Sequence, residues 1–325
     1  MPLRAHALNF ALRHSVKRML ARLVAAPDTG SARLAALARR RGAQARAQGA
    51  LAALGATALR GVRATPATLG GARGEWVVAE DGRASAHMLY LHGGGYVSLS
   101  PTSHRFVTAG FARRGFRVFA LDYRLAPEHP YPAALEDARA AWAALRGAVA
   151  GPIVAAGDSA GGGLALALMM ATRAAGAAGP DAACLFSPWT DLACTGATLR
   201  DNAARDALLP AAALPIVARL YHPAGDLCDP FVSPLYGAFA GLPPLLFFAG
   251  ADEILLDDSR RAHARARAAG VRADLAVWRG PPHAWPIFGP LSPHAARALD
   301  EAAAFLHDAT ETDPRGDAAA PGVSL

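Results

Sequence analysis

One serine lies in a sequence pattern that can make it a nucleophile. Ser159 is the third residue of the run Gly157–Gly162 (Gly-Asp-Ser-Ala-Gly-Gly), between a short apolar run at 153–156 and a helix pattern at 163–175. The order strand, Gly-X-Ser-X-Gly, helix is typical of a tight turn that presents a serine at the end of a sheet, because the glycines keep Cβ atoms out of the turn. The helix that begins there also points free backbone N–H groups at negative charge beside the serine. The pattern therefore predicts attack by Ser159 on a carbonyl carbon.

A serine nucleophile needs a histidine base and an acid that orients the base, and candidates for both follow it in the chain. His283 lies in a Gly-Pro-Pro-His loop after the last predicted strand. Asp252 and Glu253 follow the seventh predicted strand, and the pattern alone does not separate them. The nearby pair Asp257–Asp258 is predicted to cap and charge the next helix instead. The order serine, acid, histidine is the one that this kind of turn uses.

Donors for the developing oxyanion are predicted in a glycine run after the third strand. His92 is followed by Gly93, Gly94 and Gly95, whose backbone N–H groups can approach a substrate without obstruction by side chains. A further donor is the N–H group of Ala160, the residue after the nucleophile. We interpret His92 as an organiser of the glycine loop and Asp158 as a residue that shapes the serine turn.

The elements that must position these groups alternate between strands and helices from about residue 61. Such alternation predicts an α/β fold with a mostly parallel, doubly wound sheet that binds ligands at the carboxyl ends of its strands. Residues 76–79 and 85–91 are predicted to form a hairpin around Asp81-Gly82. The domain prediction is a helical cap segment at 1–60, a catalytic domain at 61–308 with a cap insertion at about 190–240, and a disordered tail at 309–325.

Composition and charge limit the remaining possibilities. The chain has 325 residues, of which 53% are hydrophobic and 18% charged, and no apolar run reaches the ~20 residues that a transmembrane helix needs. Arginines interrupt the apolar N-terminus, so we predict no secretory signal, with a transit peptide or membrane-surface helix as the weaker alternative. The odd number of cysteines, three, and the lack of metal-ligand spacing favour a cytoplasmic protein without a metal.

The basic residues are concentrated near the start of the chain. Residues 1–74 contain 13 Lys and Arg against one acidic residue, whereas the remainder has a net charge of −5. Nucleic-acid binding is one interpretation of such a segment. The arginines are scattered among alanines without interleaved aromatic residues, so we favour a solvated helical face and expect no nucleic-acid partner.

The motifs together carry a family resemblance over roughly residues 75–307. The run His-Gly-Gly-Gly-Tyr at 92–96 and the run at 157–162 resemble the two signatures of the hormone-sensitive-lipase-like esterases, bacterial family IV of the α/β-hydrolase superfamily. Further similar stretches are at 122–128, 187–189, 229–235 and 252–258. The resemblance implies the α/β-hydrolase fold, a mostly parallel eight-stranded sheet flanked by helices with a helical cap. It also implies Gly94, Gly95 and Ala160 as oxyanion donors and no metal or organic cofactor.

The resemblance also bears on the acid and on the reaction. The usual aspartate of the family corresponds to Glu253 when the sequences are aligned on Asp257, so we predict Glu253 as the acid, with Asp252 as the alternative. The implied activity is hydrolysis of small, short-to-medium-chain carboxylic esters through an acyl-enzyme. Alternatives are a lactone hydrolase of the monoterpene ε-lactone type and a receptor without turnover, although receptors of this family lack the histidine that His283 supplies here. The oligomeric state is open, with a homodimer as one candidate.

Overall fold

An eight-stranded sheet forms the centre of the molecule. The computed structural model describes residues 3–24 and 55–312, together with Gly49 and Ala53. The strands are β1 (Val62–Leu69), β2 (Ala72–Ala79), β3 (Ala86–Leu91), β4 (Phe116–Leu121), β5 (Ile153–Asp158), β6 (Ala183–Phe186), β7 (Leu245–Gly250) and β8 (Ala273–Trp278). Their order is β1-β2-β4-β3-β5-β6-β7-β8, and only the β1–β2 and β2–β4 pairings are antiparallel. The predicted mostly parallel sheet is confirmed.

Helices cover both faces of this sheet. They are α1 (Leu3–Leu12) and α2 (Arg18–Val24), joined by a π-helical turn at Arg13–Lys17, then α3 (Arg105–Ala112), α4 (Ala133–Ala148), α5 (Ala160–Ala174), α6 (Thr198–Asp201), α7 (Ala213–Tyr221), α8 (Leu256–Ala268) and α9 (Ala295–Thr312). Alternate residues of the central strands enter two separate buried clusters. Helices α4, α5 and α8 pack on one cluster, and α3 and α9 pack on the other. The sheet is therefore buried on both faces, so a ligand can reach it only at the ends of its strands.

The hairpin predicted for 76–79 and 85–91 is wrong. Strand β2 pairs with β1 through the Gly70-Gly71 turn and with β4 on its other side, whereas β3 lies between β4 and β5 and runs parallel to both. The connection passes the start of β4, where the Ser85 N–H group donates to the Gly115 carbonyl oxygen at 2.9 Å. Most of β3 is apolar and buried, so it is stabilised in the middle of the sheet, where helices cover both of its faces.

The segments outside the alternating core are partly described. Residues 187–244 contain no strand, as predicted for an insertion, and their longest helix is α7. Of the helical cap segment predicted at 1–60, residues 25–48 lie outside the described residues. Helix α9 continues to Thr312, four residues into the predicted tail, and the rest of that tail also lies outside them. In the described part of the chain, no helix combines the length and apolarity required to cross a membrane.

Candidate active site

The turn between β5 and α5 holds Ser159 in a strained conformation. Ser159 has φ 51° and ψ −124°, a region that costs a residue with a side chain roughly 1–3 kcal/mol. A Cβ atom on Gly161 would lie 2.0 Å from the Leu91 carbonyl oxygen, and one on Gly157 would lie 2.6 Å from the carbonyl oxygen of Gly161. Only glycine therefore fits at these two positions. Ser159 is also the one residue between positions 153 and 172 that is not fully buried, so the turn presents its side chain at the strand end.

A buried acid–base pair forms from the two loops that follow β7 and β8. His283 Nδ1 lies 3.0 Å from Glu253 Oε2, and the two residues are only 3% and 2% exposed. The second carboxylate oxygen of Glu253 accepts the Gly250 N–H group at 3.1 Å, which fixes its orientation. The alternative acid is placed elsewhere: the side chain of Asp252 is 54% exposed and lies 3.6 Å from Arg205. The geometry thus couples Glu253 to His283 and leaves Asp252 at the surface.

The electrostatics of His283 suit a base that becomes charged. Burial alone would lower the pKa of His283, but the hydrogen bond and negative charge of Glu253 outweigh burial and raise that pKa above its ordinary value. Because Nδ1 faces a carboxylate, it carries the proton of the neutral ring, and Nε2 is the atom that can accept another. Nε2 is buried and has no hydrogen-bond partner among the described residues.

Hydrogen bonds connect the histidine loop to the serine turn through the end of β6. The Ser159 N–H group donates to the Phe186 carbonyl oxygen at 2.9 Å. The next residue, Ser187, accepts the N–H group of Ala284 on its Oγ at 3.1 Å. Two residues of this connection, Ser187 and Ala284, have positive φ angles of 48° and 50°. The carboxyl ends of β5 and β6 therefore hold the serine turn and the loop of His283 at the same edge of the sheet.

The glycine loop after β3 is fastened to the serine turn by Asp158. The carboxylate of Asp158 accepts the Gly93 N–H group at 3.0 Å. A Cβ atom on Gly93 would lie 2.3 Å from that carboxylate, so the close approach requires glycine. Gly94 and Gly95 follow with φ angles of 118° and 66°, and the described part of the chain provides no acceptor for their N–H groups or for that of Ala160. These three donors lie on the two segments that Asp158 joins.

His92 stabilises the same glycine loop by a hydrogen bond and by ring stacking. Its Nδ1 lies 2.7 Å from the Gly93 carbonyl oxygen, and its ring stacks on Tyr123 with centroids 4.3 Å apart. Burial, followed by the nearby His104, lowers the pKa of His92 to about 3. His92 is therefore neutral and donates from Nδ1, consistent with a structural role in the loop.

Sequence reasoning missed His104 and Tyr90, which complete the surroundings of Asp158. The Tyr90 hydroxyl donates to Asp158 at 2.7 Å, and His104 Nε2 lies 3.3 Å from the same carboxylate. Burial opposes the charge of His104, but Asp158 outweighs burial and raises the pKa of His104, while His104 in turn helps to lower the pKa of Asp158. The two therefore form a buried ion pair next to Ser159. The only sequence signals were a tyrosine in an apolar strand pattern and a histidine nine residues after Gly95.

Asp257 and Asp258 lie in the first turn of α8, as predicted, but the prediction that they cap this helix is wrong. Neither side chain caps α8. Asp258 instead accepts the N–H groups of Thr190 and Asp191, both at 2.8 Å, and Asp257 accepts that of Thr198 at 3.1 Å. Burial, followed by the charge of Asp191, raises the pKa of Asp258 to about 8. The insertion brings unpaired N–H groups to the start of α8, so these carboxylates fasten the insertion to the helix that follows Glu253.

Helix α7 of the insertion lies over the glycine loop. The ring of Tyr221 stacks on Tyr96, the residue after the glycine run, with centroids 3.8 Å apart. One turn earlier, Val217 Cγ1 lies 2.9 Å from the position that a Cβ atom on Gly95 would occupy. Val217 is half-buried, whereas its neighbour Ile216 is 36% exposed. Val217 therefore bounds the space beside the glycine N–H groups.

No group of three or more His, Cys, Asp or Glu side chains is arranged to bind a metal ion within the described ranges.

Comparisons with known proteins agree with this geometry. The model of the α/β hydrolase fold family matches residues 88–287. The chain is 43% identical to an acetyl-hydrolase of Streptomyces hygroscopicus and 37% identical to an esterase of Acinetobacter venetianus, in each case over 75% of this chain and 82% of the relative. The crystal structure of an esterase from the bacterial hormone-sensitive lipase family superposes with a TM-score of 0.83 at 34% identity, covering 95% of this chain and 99% of that one. The chain therefore belongs to the α/β hydrolase fold family, among the carboxylesterase-like hydrolases of the hormone-sensitive lipase group.

Proposed function

We propose that this protein hydrolyses carboxylic esters through an acyl-enzyme formed on Ser159. One observation carries the proposal: a serine held at positive φ is the accessible residue of an otherwise buried segment, and the loop of the buried His283–Glu253 pair is hydrogen-bonded, through Ala284, to Ser187 at the same edge of the sheet. A nucleophile, its base and the acid that orients the base are the groups that acyl transfer to a serine requires. Helix α5 adds its positive N-terminal end beside the serine.

In the first half-reaction, Ser159 Oγ attacks the ester carbonyl carbon while His283 Nε2 takes the hydroxyl proton. The carbonyl electrons move to oxygen, and the N–H groups of Gly94, Gly95 and Ala160 donate to that oxyanion. One such donor lowers the barrier by ~3–4 kcal/mol in known enzymes. The negative charge of Glu253 stabilises the imidazolium. The bond to the alcohol oxygen then breaks, and His283 returns the proton to the leaving alcohol.

The second half-reaction repeats these steps with water. His283 Nε2 takes a proton from a water molecule as its oxygen attacks the acyl carbon bound to Ser159. The same N–H groups hold the second oxyanion, and collapse returns the proton to Ser159 Oγ and releases the carboxylic acid. The neutral form of His283 begins both steps, so catalysis requires a pH above the pKa of His283 in the free enzyme.

For the substrate we propose a small ester with a short-to-medium acyl chain. Val217 limits the space next to the glycine donors, and a relative 43% identical to this chain is an acetyl-hydrolase by name. A cyclic ester presents the same bond, so lactones stay within the chemistry of the site. Helix α7, and with it the insertion, acts as the cap in this proposal, together with the N-terminal helices.

Two further expectations concern the cell and the assembly. The three cysteines are free, which supports the predicted reducing, cytoplasmic setting. A homodimer stays a prediction, and sedimentation velocity at several concentrations tests it.

Labelling with a fluorophosphonate, together with ester assays, tests the proposed reaction. We expect one covalent label per chain on the peptide that contains Ser159, and turnover of p-nitrophenyl acetate. Ser159→Ala should lose both, whereas Ser85→Ala, which changes an exposed serine at the other end of the sheet, should keep both. A wild-type chain that takes no label and cleaves neither p-nitrophenyl acetate nor ε-caprolactone would refute the proposal. A wild-type chain that is labelled on Ser159 but hydrolyses neither ester would restrict the proposal to another acyl substrate.

A further inference from the structure

Three side chains of the N-terminal helices form a row of hydrogen-bond donors. Asn9, Arg13 and Lys17 are spaced four residues apart, so they lie along one face of the continuous helical segment from α1 to α2. All three donate to backbone carbonyl oxygens of distant loops: Asn9 Nδ2 to Gly280 at 2.8 Å, Arg13 to Arg205 at 2.8 Å, and Lys17 Nζ to Ala203 and Asp206, both at 2.7 Å. This row is here called the donor row.

The carbonyls that the donor row binds belong to the loop of His283 and to the segment 203–206, which contacts the loop of Glu253. Gly280 lies three residues before His283, in the same loop. The segment 203–206 lies against Glu253, because Asn202 Nδ2 donates to the Glu253 carbonyl oxygen at 2.8 Å. Asp206 accepts the N–H group of Ile254 on its carboxylate, also at 2.8 Å. One helical segment therefore contacts both the base loop and the support of the acid, from residues about 190 to 270 positions away in the chain.

A cavity of about 410 Å³ separates the N-terminal helices from the acid–base pair between these contacts. Helix α1 lines one side of it, and Asp252, Glu253 and His283 line the other. The donor row thus adds polar contacts to the packing of Leu12, which is buried in the core, and together they hold the N-terminal helices across the cavity from two residues that are themselves almost completely buried. If the row is lost, the loop of His283 and the segment 203–206 each lose a fixed neighbour.

We propose that Asn9, Arg13 and Lys17 are positioning residues that hold the loops of His283 and Glu253 in the geometry required for proton transfer. The inference rests on the proposed ester hydrolysis. It gives the basic start of the chain a role inside the molecule, because the ammonium group of Lys17 is used to bind two carbonyl oxygens of the hydrolase domain. An amide, guanidinium or ammonium donor at each point matches the acceptor chemistry of a backbone carbonyl. Misplacement of a catalytic group by about 1 Å can cost ~10²-fold in rate, so contacts at this distance from the reaction matter.

The test compares variants that lose a donor of the row with one that keeps it; Lys17→Met also removes a positive charge, and Asn9→Asp also adds a negative one. Lys17→Met and Asn9→Asp keep the approximate side-chain shape and remove the donor, and Lys17→Arg restores one. Arg18→Met is the matched control, since Arg18 is the next residue, is exposed and carries the same charge. We expect kcat to fall about 5- to 50-fold in Lys17→Met and Asn9→Asp, within the range that misplacement produces. KM should change less than about twofold, because the glycine loop and α7 are untouched. Lys17→Arg should recover most of kcat, and Arg18→Met should match the wild type.

The pH profile separates positioning from a loss of stability. The charges that act on His283 are Glu253, Asp206 and Asp158, and Glu253 is the largest of the three. Loosening the pair weakens the influence of Glu253, so the acid limb of kcat/KM should move to lower pH in Lys17→Met. A merely structural role would lower the melting temperature and the active fraction without moving this limb.

Two results would overturn the inference. One is a Lys17→Met enzyme with wild-type kcat and an unmoved acid limb of kcat/KM, and the other is an Arg18→Met enzyme whose kcat falls as much as that of Lys17→Met. Fluorophosphonate titration of every variant gives the fraction of chains with a reactive Ser159, and rates are expressed per labelled chain. Failure of the proposed function would appear as an unlabelled wild type, so the two failures are distinguishable.

Discussion

Replacement of Glu253 by Gln tests the acid–base pair directly. Glutamine has nearly the same shape, so Glu253→Gln removes the negative charge 3.0 Å from His283 Nδ1 without opening a cavity. After His283 takes the serine proton, its positive charge would be buried without a counter-charge. Asp252→Asn is the matched control, because it removes one carboxylate charge from the adjacent residue.

The expected magnitude follows from distance and burial. Two unit charges 3.0 Å apart attract by about 5 kcal/mol at an effective dielectric constant of ~20. Breaking a buried pair by removing one partner costs roughly 3–5 kcal/mol. If this loss appears in the transition state, kcat/KM should fall by about 10² to 10⁴-fold. Asp252 is 54% exposed and 3.6 Å from Arg205, and exposed pairs contribute ~0–1 kcal/mol, so Asp252→Asn should cost less than about fivefold.

The direction of the pH effect is a second, independent readout. His283 must be neutral to accept a proton, and Glu253 raises its pKa against the opposing effect of burial. Wild-type kcat/KM should therefore fall as the pH drops through this raised pKa. In Glu253→Gln the burial remains and the carboxylate is gone, so the pKa of His283 falls and the acid limb moves to lower pH. The limb of Asp252→Asn should not move.

The assay is p-nitrophenyl acetate hydrolysis from about pH 4 to about pH 9, with rates expressed per chain labelled by fluorophosphonate. Two results would refute the reasoning: a Glu253→Gln enzyme within about fivefold of the wild type, or an Asp252→Asn enzyme that loses as much as Glu253→Gln does. The second result would identify Asp252 as the acid, despite its exposure in the structure.

Three more predictions concern the surroundings of the pair. Gly94→Ala should reduce kcat by about 10²- to 10³-fold, because its Cβ atom would lie 2.0 Å from a backbone oxygen. Gly82→Ala is the control: Gly82 is also at positive φ but lies in open space, so this variant should keep wild-type kcat. Equal kcat in the two variants would contradict the prediction. Val217→Ala should raise the ratio of octanoate to acetate hydrolysis about tenfold, and Ile216→Ala should leave it unchanged; an unchanged ratio in Val217→Ala would remove α7 from the pocket wall. Asp258 has a folded pKa of about 8 against 3.8, so the folded chain retains a proton that the unfolded chain has lost. The stability advantage of the wild type over Asp258→Asn should therefore shrink as pH rises from about 4 to about 8, and a constant difference in chemical denaturation would contradict that shift.

The fold and much of the candidate site could be predicted because local patterns carry them. The apolar run at 153–156 and the helix pattern at 163–175 need only neighbouring residues to be read, and the structure has β5 at Ile153–Asp158 and α5 at Ala160–Ala174. The hairpin error arose because pairing partners are not local. Taken alone, the sequence of β3 is compatible with an antiparallel neighbour. Its place between β4 and β5 is decided by the whole sheet, whose middle strands are buried on both faces.

The surroundings of Asp158 show what local patterns omit. His104 lies 54 residues from Asp158 in the chain, and nothing in its neighbours distinguishes it from a surface histidine. Its role follows from burial and from a carboxylate 3.3 Å away. The same holds for Asp258, whose partners Thr190 and Asp191 lie 68 and 67 residues earlier, respectively.

By itself, the sequence determined the residue types and the turn chemistry. A serine between close-packed glycines, a glycine run after a strand and a histidine in a proline-rich loop are local features, because backbone conformation at a tight turn depends on the residues in the turn. Only the tertiary structure decided which carboxylate faces His283, which histidine supports Asp158 and where the N-terminal helices attach. Those outcomes depend on burial and on distances between loops far apart in the chain. Glu253 and Asp252 are adjacent in sequence, and the fold buries one of them against the imidazole and leaves the other in water.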